Sequence, residues 1–85
     1  MTQLHELALR TPALVREVQA PEAHPEWRAR LEEIGFLPGE PVRVVAQGAP
    51  GGDPLVVRIA DSTFALRRAE AACVQVQPLN GEAVR

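Results

Sequence analysis

Prolines and glycines divide this chain into short segments. Eight prolines and six glycines fall mostly between aliphatic stretches rather than within them, which is how turn residues separate the elements of a small domain. Since proline disrupts the interior of a helix or a central strand, no element can be long. The sequence therefore predicts a fold built from several short strands and at most a short helix.

We expect a single domain over residues 1–85, with a core from about 4 to 77 and a frayed tail at 78–85, because 85 residues leave no room for a second core. The longest unbroken apolar run is four residues, at 71–74, whereas a membrane helix needs about 20. The N-terminal residues also lack the basic start and apolar stretch of a signal peptide. These features predict a cytoplasmic protein.

Charge and cysteine content narrow the possible functions. The formal net charge is −2 and all nine basic residues are arginine, so the chain has no lysine for a phosphate-binding loop or a Schiff base. A nucleic-acid partner is disfavoured, because phosphate contacts need clustered positive charge. The single cysteine, Cys73, cannot form an internal disulfide.

Five segments carry the alternating or β-branched pattern of short strands. They are residues 13–18, 42–47, 55–59, 63–66 and 73–77. In the second segment the alternation places Val42, Val44 and Ala46 on one face. The opening stretch at 4–9 fits either a helical turn or an edge strand, and residues 67–72 favour a single helical turn.

One amphipathic helix is predicted over residues 24–34, because Trp27, Leu31 and Ile34 recur at helical spacing. Gly35 can end it in the left-handed conformation, with Phe36 folding back onto the helix in a Schellman motif. The next four residues, 37–40, have proline and glycine where a type II turn requires them.

These elements predict a mainly β fold, a small five-stranded SH3-like barrel with one α-helix between the first and second strands. Short sequential antiparallel strands hide their edges by curling into a partly open barrel. We expect the helix to cover one open end and to bury its apolar face. The contacts expected there are Trp27, Leu31 and Ile34 against Val44, Val57 and Phe64.

No set of residues indicates catalysis, and the sequence predicts a binding module that is not an enzyme. Cys73 has no charged neighbour in sequence to activate it, which favours a small buried hydrophobe. Gly51 and Gly52 precede a strand rather than a helix, so they fit a hairpin loop better than a phosphate loop. Arg67 and Arg68 either flank a strand end or hold a partner's carboxylate.

His5, Glu22 and His24 are surface candidates for metal binding. Their spacing is not that of a metal site, and solvated histidines are the simpler interpretation. Two ligands from each chain would make half of a zinc site, which a homodimer could complete.

The string 27–39, followed by Val42 to Val45 and Gly52 to Leu55, resembles the FeoA (ferrous iron transport protein A) family. The later segment 64–71, ending in 74–76, is similar to that family's closing signature, and together the matches cover most of residues 4–77. The order and spacing of these pieces within one short chain make the resemblance specific. Family members often carry glycine where this chain has Thr11-Pro12 and where it has Asp61.

The resemblance implies a cytosolic SH3-like accessory protein of bacterial ferrous iron uptake, without enzymatic activity or a required cofactor, that acts on the FeoB-type membrane GTPase transporter. We expect the contact surface to be a groove between the loop at 48–54, the turn at 37–39 and two arginines. Its predicted members are Leu37, Pro38, Gly39, Pro50, Asp53, Arg67 and Arg68.

The alternative function is a metal-responsive module, in which surface histidine and carboxylate ligands hold a divalent transition metal. The fold also resembles the C-terminal domain of DtxR-type repressors, but this chain has neither a winged-helix portion nor net positive charge. A nucleic-acid-binding barrel would need aromatic residues for stacking. The sequence assigns Trp27, Phe36 and Phe64 to the core.

Overall fold

A computed structural model describes residues 2–49 and 51–79. This part of the chain forms six strands and two α-helices, and a short 3-10 helix, Leu4–Glu6, follows the first strand. The elements are β1 (Thr2–Gln3), β2 (Ala13–Val18), α1 (Glu26–Ile34), β3 (Pro41–Gln47), β4 (Leu55–Ile59), β5 (Ser62–Leu66), α2 (Arg68–Ala71) and β6 (Val74–Pro78).

The strands form one antiparallel sheet in the order β1-β6-β2-β3-β4-β5. The mainly β prediction is confirmed, but the count of five strands is wrong, because β1 is too short to show an alternating pattern. The sheet is also not closed into a barrel within the described residues, and it has β1 and β5 at its edges. With β1 included, α1 lies between the second and third strands.

The core lies on the inner face of the sheet. Leu4 and Leu31 are both fully buried, so the 3-10 helix and α1 each contribute one leucine to it. The strands supply the rest, chiefly Val15, Val44, Leu55, Val57, Ile59, Leu66, Val74 and Val76. Trp27, Ile34 and Phe64 only pack against this cluster and stay partly exposed. The prediction that these three side chains are core residues is therefore too strong.

A β-bulge in β3 changes which residues face inward. The register with β4 shifts between Val44 and Ala46, so Val45 is the extra residue. Because side chains alternate strictly, one inserted residue moves everything after it to the other face. Ala46, which the alternation placed on the same face as Val42 and Val44, is exposed, whereas those two valines face the core.

The end of α1 follows the predicted Schellman motif. The Phe36 N–H donates to the Leu31 carbonyl at 3.1 Å, and the Gly35 N–H donates to that of Glu32 at 3.1 Å. Gly35 has a φ of 129°, which explains why glycine is needed there. Phe36 is fully buried as a result.

The predicted turn after α1 is also present. The Glu40 N–H donates to the Leu37 carbonyl at 3.1 Å, and Gly39 has a φ of 88°, as the third position of a type II turn requires. Two hydrogen bonds with Val15 fix this turn to β2. The Gly39 N–H donates to the Val15 carbonyl at 2.8 Å, and the Val15 N–H donates to the Glu40 carbonyl at 2.9 Å.

The turn between β4 and β5 contains one of the two departures from the family pattern. Ala60, with a φ of 51°, takes the left-handed conformation beside Asp61, where family members often carry glycine. The other departure from the family pattern lies beside Arg10, which has a φ of 66° just before Thr11. Pro78 ends β6 and the Leu79 N–H donates to the Pro12 carbonyl at 3.1 Å, while residues 80–85 of the predicted tail lie outside the described part.

Within residues 2–49 and 51–79, neither helix has the length and apolar character that crossing a membrane requires.

Replacing Leu31 by alanine tests the packing of α1. Leu31 is fully buried, so Leu31→Ala should lower the free energy of unfolding by about 2–5 kcal/mol, measured by urea denaturation. Leu37→Ala is the matched control, because Leu37 is 45% exposed and its truncation should cost less than about 0.5 kcal/mol. Equal stability of the two variants would contradict this packing.

Candidate docking surface

The loop between β3 and β4 is held close to the start of α2 by Asp53. The Arg68 backbone N–H donates to Asp53 Oδ1 at 3.0 Å, so a carboxylate from a distant loop satisfies one of the free amides of this short helix. A side chain on Gly48 could not be accommodated, because its Cβ would lie 2.7 Å from the Asp53 carbonyl oxygen. The loop conformation thus depends on glycine at this position.

Glu70 connects α2 to α1. Its Oε1 accepts a hydrogen bond from the Arg67 N–H at 2.9 Å, and its Oε2 forms an ion pair with Arg30 Nη2. Only 13% of the Glu70 side chain is exposed, so the surroundings screen this contact less than water screens a surface pair. Arg30 and Glu70 were missed in the sequence, although Arg67-x-x-Glu70 has the spacing of a capping box.

An open hollow of about 460 Å³ lies beside these contacts. Its lining residues are Asp53, Pro54, Ala65, Arg67 and Glu70. Asp53 and Glu70 are both engaged by backbone amides, whereas Arg67 forms no ion pair with any carboxylate among the described residues. The hollow therefore presents a guanidinium group that can receive a partner's carboxylate.

The predicted contact residues do not form one groove. The loop containing Asp53 follows the end of β3, and it meets Arg67 and Arg68. The turn at 37–39 precedes the start of β3, at the opposite end of this seven-residue strand, which places it about 20 Å away along the sheet. Pro50 lies outside the described residues.

The turn at 37–39 has a surface of its own. Leu37 is 45% exposed and is one of three exposed leucines in the described part of the chain, with Leu9 and Leu79. A second hollow, of about 280 Å³, lies beside this turn and is lined by Leu14, Val15, Arg16, Pro38 and Gly39. We call the hollow at Arg67 the arginine surface and the region around Leu37 the leucine surface.

The predicted metal ligands are not gathered into one site. His24 stacks on Trp27 with ring centroids 4.4 Å apart, and its Nδ1 lies 3.5 Å from the Glu26 carboxylate. His5 lies in the 3-10 helix, and its Nδ1 is buried without a hydrogen-bond partner. Glu22 is exposed before α1. In the described part of the chain, no three His, Cys, Asp or Glu side chains are close enough to hold a metal ion.

Cys73 is buried, as the sequence predicted. Its Sγ donates to the Ala69 carbonyl at 3.5 Å. Burial, and to a lesser degree the nearby negative charge of Glu70, raises the pKa of the Cys73 thiol above its ordinary value. The thiol therefore stays protonated and is a poor nucleophile near neutral pH.

These features are those of a small SH3-like domain with two candidate docking surfaces, and comparison with known proteins gives its family. The FeoA domain matches residues 2–78. The crystal structure of Stenotrophomonas maltophilia FeoA complexed with zinc superposes with a TM-score of 0.81 at 42% identity, covering 98% of this chain and 94% of that one. The chain belongs to the FeoA domain family.

Two further relatives support this assignment. The solution structure of FeoA from Chlorobium tepidum gives a TM-score of 0.81 at 34% identity, covering 94% of this chain and 72% of that one. A fusion of Fe(2+) transport protein A with the Fe(2+) transporter FeoB, from Porphyromonas gingivalis, is 40% identical over 57 residues. That match covers 67% of this chain and only 7% of the fusion protein's length. The family is thus involved in ferrous iron transport.

The raised pKa of Cys73 predicts a loss of stability in alkali. Above the ordinary thiol pKa of about 9.0, the unfolded chain releases this proton while the folded chain retains it. The free energy of unfolding should therefore fall by up to about 1.4 kcal/mol per pH unit, until the pH passes the folded pKa.

Urea denaturation under reducing conditions between pH 9 and 11 tests this expectation, with Cys73→Ala as the control. The chain contains no tyrosine and no lysine, and arginine stays protonated in this range, so the stability of Cys73→Ala should be nearly constant. A similar decline in both proteins would show that another group is responsible.

Proposed function

We propose that this protein is a cytoplasmic accessory protein of ferrous iron uptake that binds the FeoB-type membrane GTPase transporter and regulates it. It requires no cofactor and has no catalytic activity of its own. The observation that carries the proposal is the Porphyromonas gingivalis protein, in which Fe(2+) transport protein A and FeoB are parts of one chain. Fusion keeps two domains at high effective concentration, which favours a direct contact between them.

The geometry supports two contact regions for such a partner. The arginine surface offers a guanidinium group that no carboxylate of residues 2–49 or 51–79 pairs with, beside an open hollow, which suits a partner's carboxylate. The leucine surface offers an exposed aliphatic side chain on a turn that three hydrogen bonds hold in place, and a rigid apolar anchor binds at low entropic cost. A large partner could contact both.

The arginine surface is tested with Arg67→Glu. Capture of the FeoB-type GTPase from detergent-solubilised host membranes should weaken about tenfold or more, because the partner's carboxylate would face a like charge. Arg28→Glu is the control, because it makes the same charge change at an exposed residue of α1. Arg28 is two positions from Arg30 and therefore lies on the other side of the helix. Equal capture by both folded variants would remove the arginine surface from the interface.

The leucine surface is tested separately with Leu37→Asp, since a charge in an apolar contact is left without a partner. Capture of the same GTPase should fall about tenfold or more. Leu9→Asp is the matched control, because Leu9 is 49% exposed and lies in the segment before β2. If Leu37→Asp captures as much of the GTPase as Leu9→Asp, the interface does not include the leucine surface.

A further inference from the structure

Two arginines face each other on the outer side of the sheet. Arg43 of β3 and Arg58 of β4 are directly opposite in the antiparallel register, and both side chains are exposed. Like charges at opposed positions destabilise a sheet. The Arg43–Arg58 pair therefore lowers the stability of the fold, so a stabilising role does not explain its presence.

No carboxylate in the described part of the chain neutralises this pair. The ion pairs found there involve His24, Arg28 and Arg30. Asp61, in the turn that follows β4, is exposed and forms no ion pair with either arginine. Both guanidinium groups can therefore donate hydrogen bonds to an anion that belongs to another molecule.

A hollow of about 170 Å³ lies at the two arginines. Its lining residues are Pro12, Pro41, Val42, Arg43, Arg58 and Ala60. The prolines have no N–H to donate, and the Ala60 N–H already donates to the Pro41 carbonyl at 3.2 Å. The guanidinium groups are thus the main donors, and the proline, valine and alanine side chains supply apolar groups beside them.

This combination fits a carboxylate on a short aliphatic stem better than a phosphate. A carboxylate is satisfied by the fork of one or two guanidinium groups, and its methylene carbons can rest on the proline rings. Phosphate sites usually add several backbone amides or a helix N-terminus. The hollow has neither of these features among its lining residues.

The outer face continues from this hollow to the arginine surface. Arg58 lies opposite Thr63, and two residues further along Val56 lies opposite Ala65, which lines the hollow at Arg67. A chain laid across β4 and β5 can therefore reach Arg43, Arg58 and Arg67 in succession.

We propose that the Arg43–Arg58 hollow binds a carboxylate side chain of an acidic segment of a partner protein, which continues across the outer face towards Arg67. The inference rests on the proposed function only for the identity of that partner. The formal net charge of the chain is −2, so an acidic segment gains nothing from overall attraction and depends on this local positive surface.

The test uses a peptide of about ten glutamates, titrated into isotope-labelled protein at low salt, where surface charges are least screened. The Nε–H signals of Arg43 and Arg58 should shift with a common binding curve. Arg43→Gln and Arg58→Gln should each raise the Kd of the peptide roughly fivefold or more. Arg28→Gln, an exposed arginine on α1, is the control and should leave the Kd unchanged.

The urea midpoint provides a second measurement, which distinguishes a binding role of Arg58 from a structural one. Because the two arginines repel one another, Arg58→Gln should raise the urea midpoint while it weakens peptide binding. A lower midpoint would show that Arg58 supports the fold instead. Absence of shifts at both arginines would overturn the proposal.

Inorganic phosphate is the competing probe. If phosphate binds at the two arginines as tightly as the peptide does, the ligand of this site is a free oxyanion and the acidic segment is rejected. If the peptide binds there but the FeoB-type GTPase is not captured, the proposed function fails and this site stands. If the GTPase is captured equally by the wild type and by the double variant Arg43→Gln, Arg58→Gln, the site fails as its contact and the proposed function stands.

Discussion

The pairing of β6 with β2 holds the two ends of the described chain together. Val15 lies opposite Val76, and β6 in turn pairs with β1. Both valines are buried, so the backbone ladder and the core form at the same place. Such long-range pairing costs loop-closure entropy, which the apolar area buried against the 3-10 helix and α1 must offset. Every other strand takes its position from this pair, through β3 and then β4 and β5.

A few polar contacts decide what the outside of this sheet presents. Glu70 ties α1 to α2 through Arg30, and Asp53 caps the same short helix from a loop. Both carboxylates thereby have partners, whereas Arg67 beside them has no ion-pair partner in the part of the chain that the structure describes. The exposed arginines of the outer face therefore reflect where the carboxylates lie rather than the net charge, which is negative. This is why composition alone gave no indication of an acidic partner.

Local signals in the sequence predicted local structure well. Helical spacing identified α1, and glycine and proline placement identified both the Schellman ending at Gly35 and the turn before β3. Val57 of β4, expected in the core, is fully buried. Predictions failed where one residue changed the pattern without a local cause. The bulge at Val45 exposes Ala46. Trp27 packs against the core cluster and is only partly buried, which depends on the position of α1 relative to the sheet.

The sequence by itself determined the mainly β class, the single helix before β3, the burial of Cys73 and the resemblance to the FeoA family. These follow from periodicity, turn residues and motif order, which are properties of neighbouring residues. Only the tertiary structure separated the predicted groove into the arginine surface and the leucine surface, and only the register of β3 and β4 placed Arg43 opposite Arg58. Distances between elements depend on strand order and on β-bulges, and these arise from the packing of the whole chain.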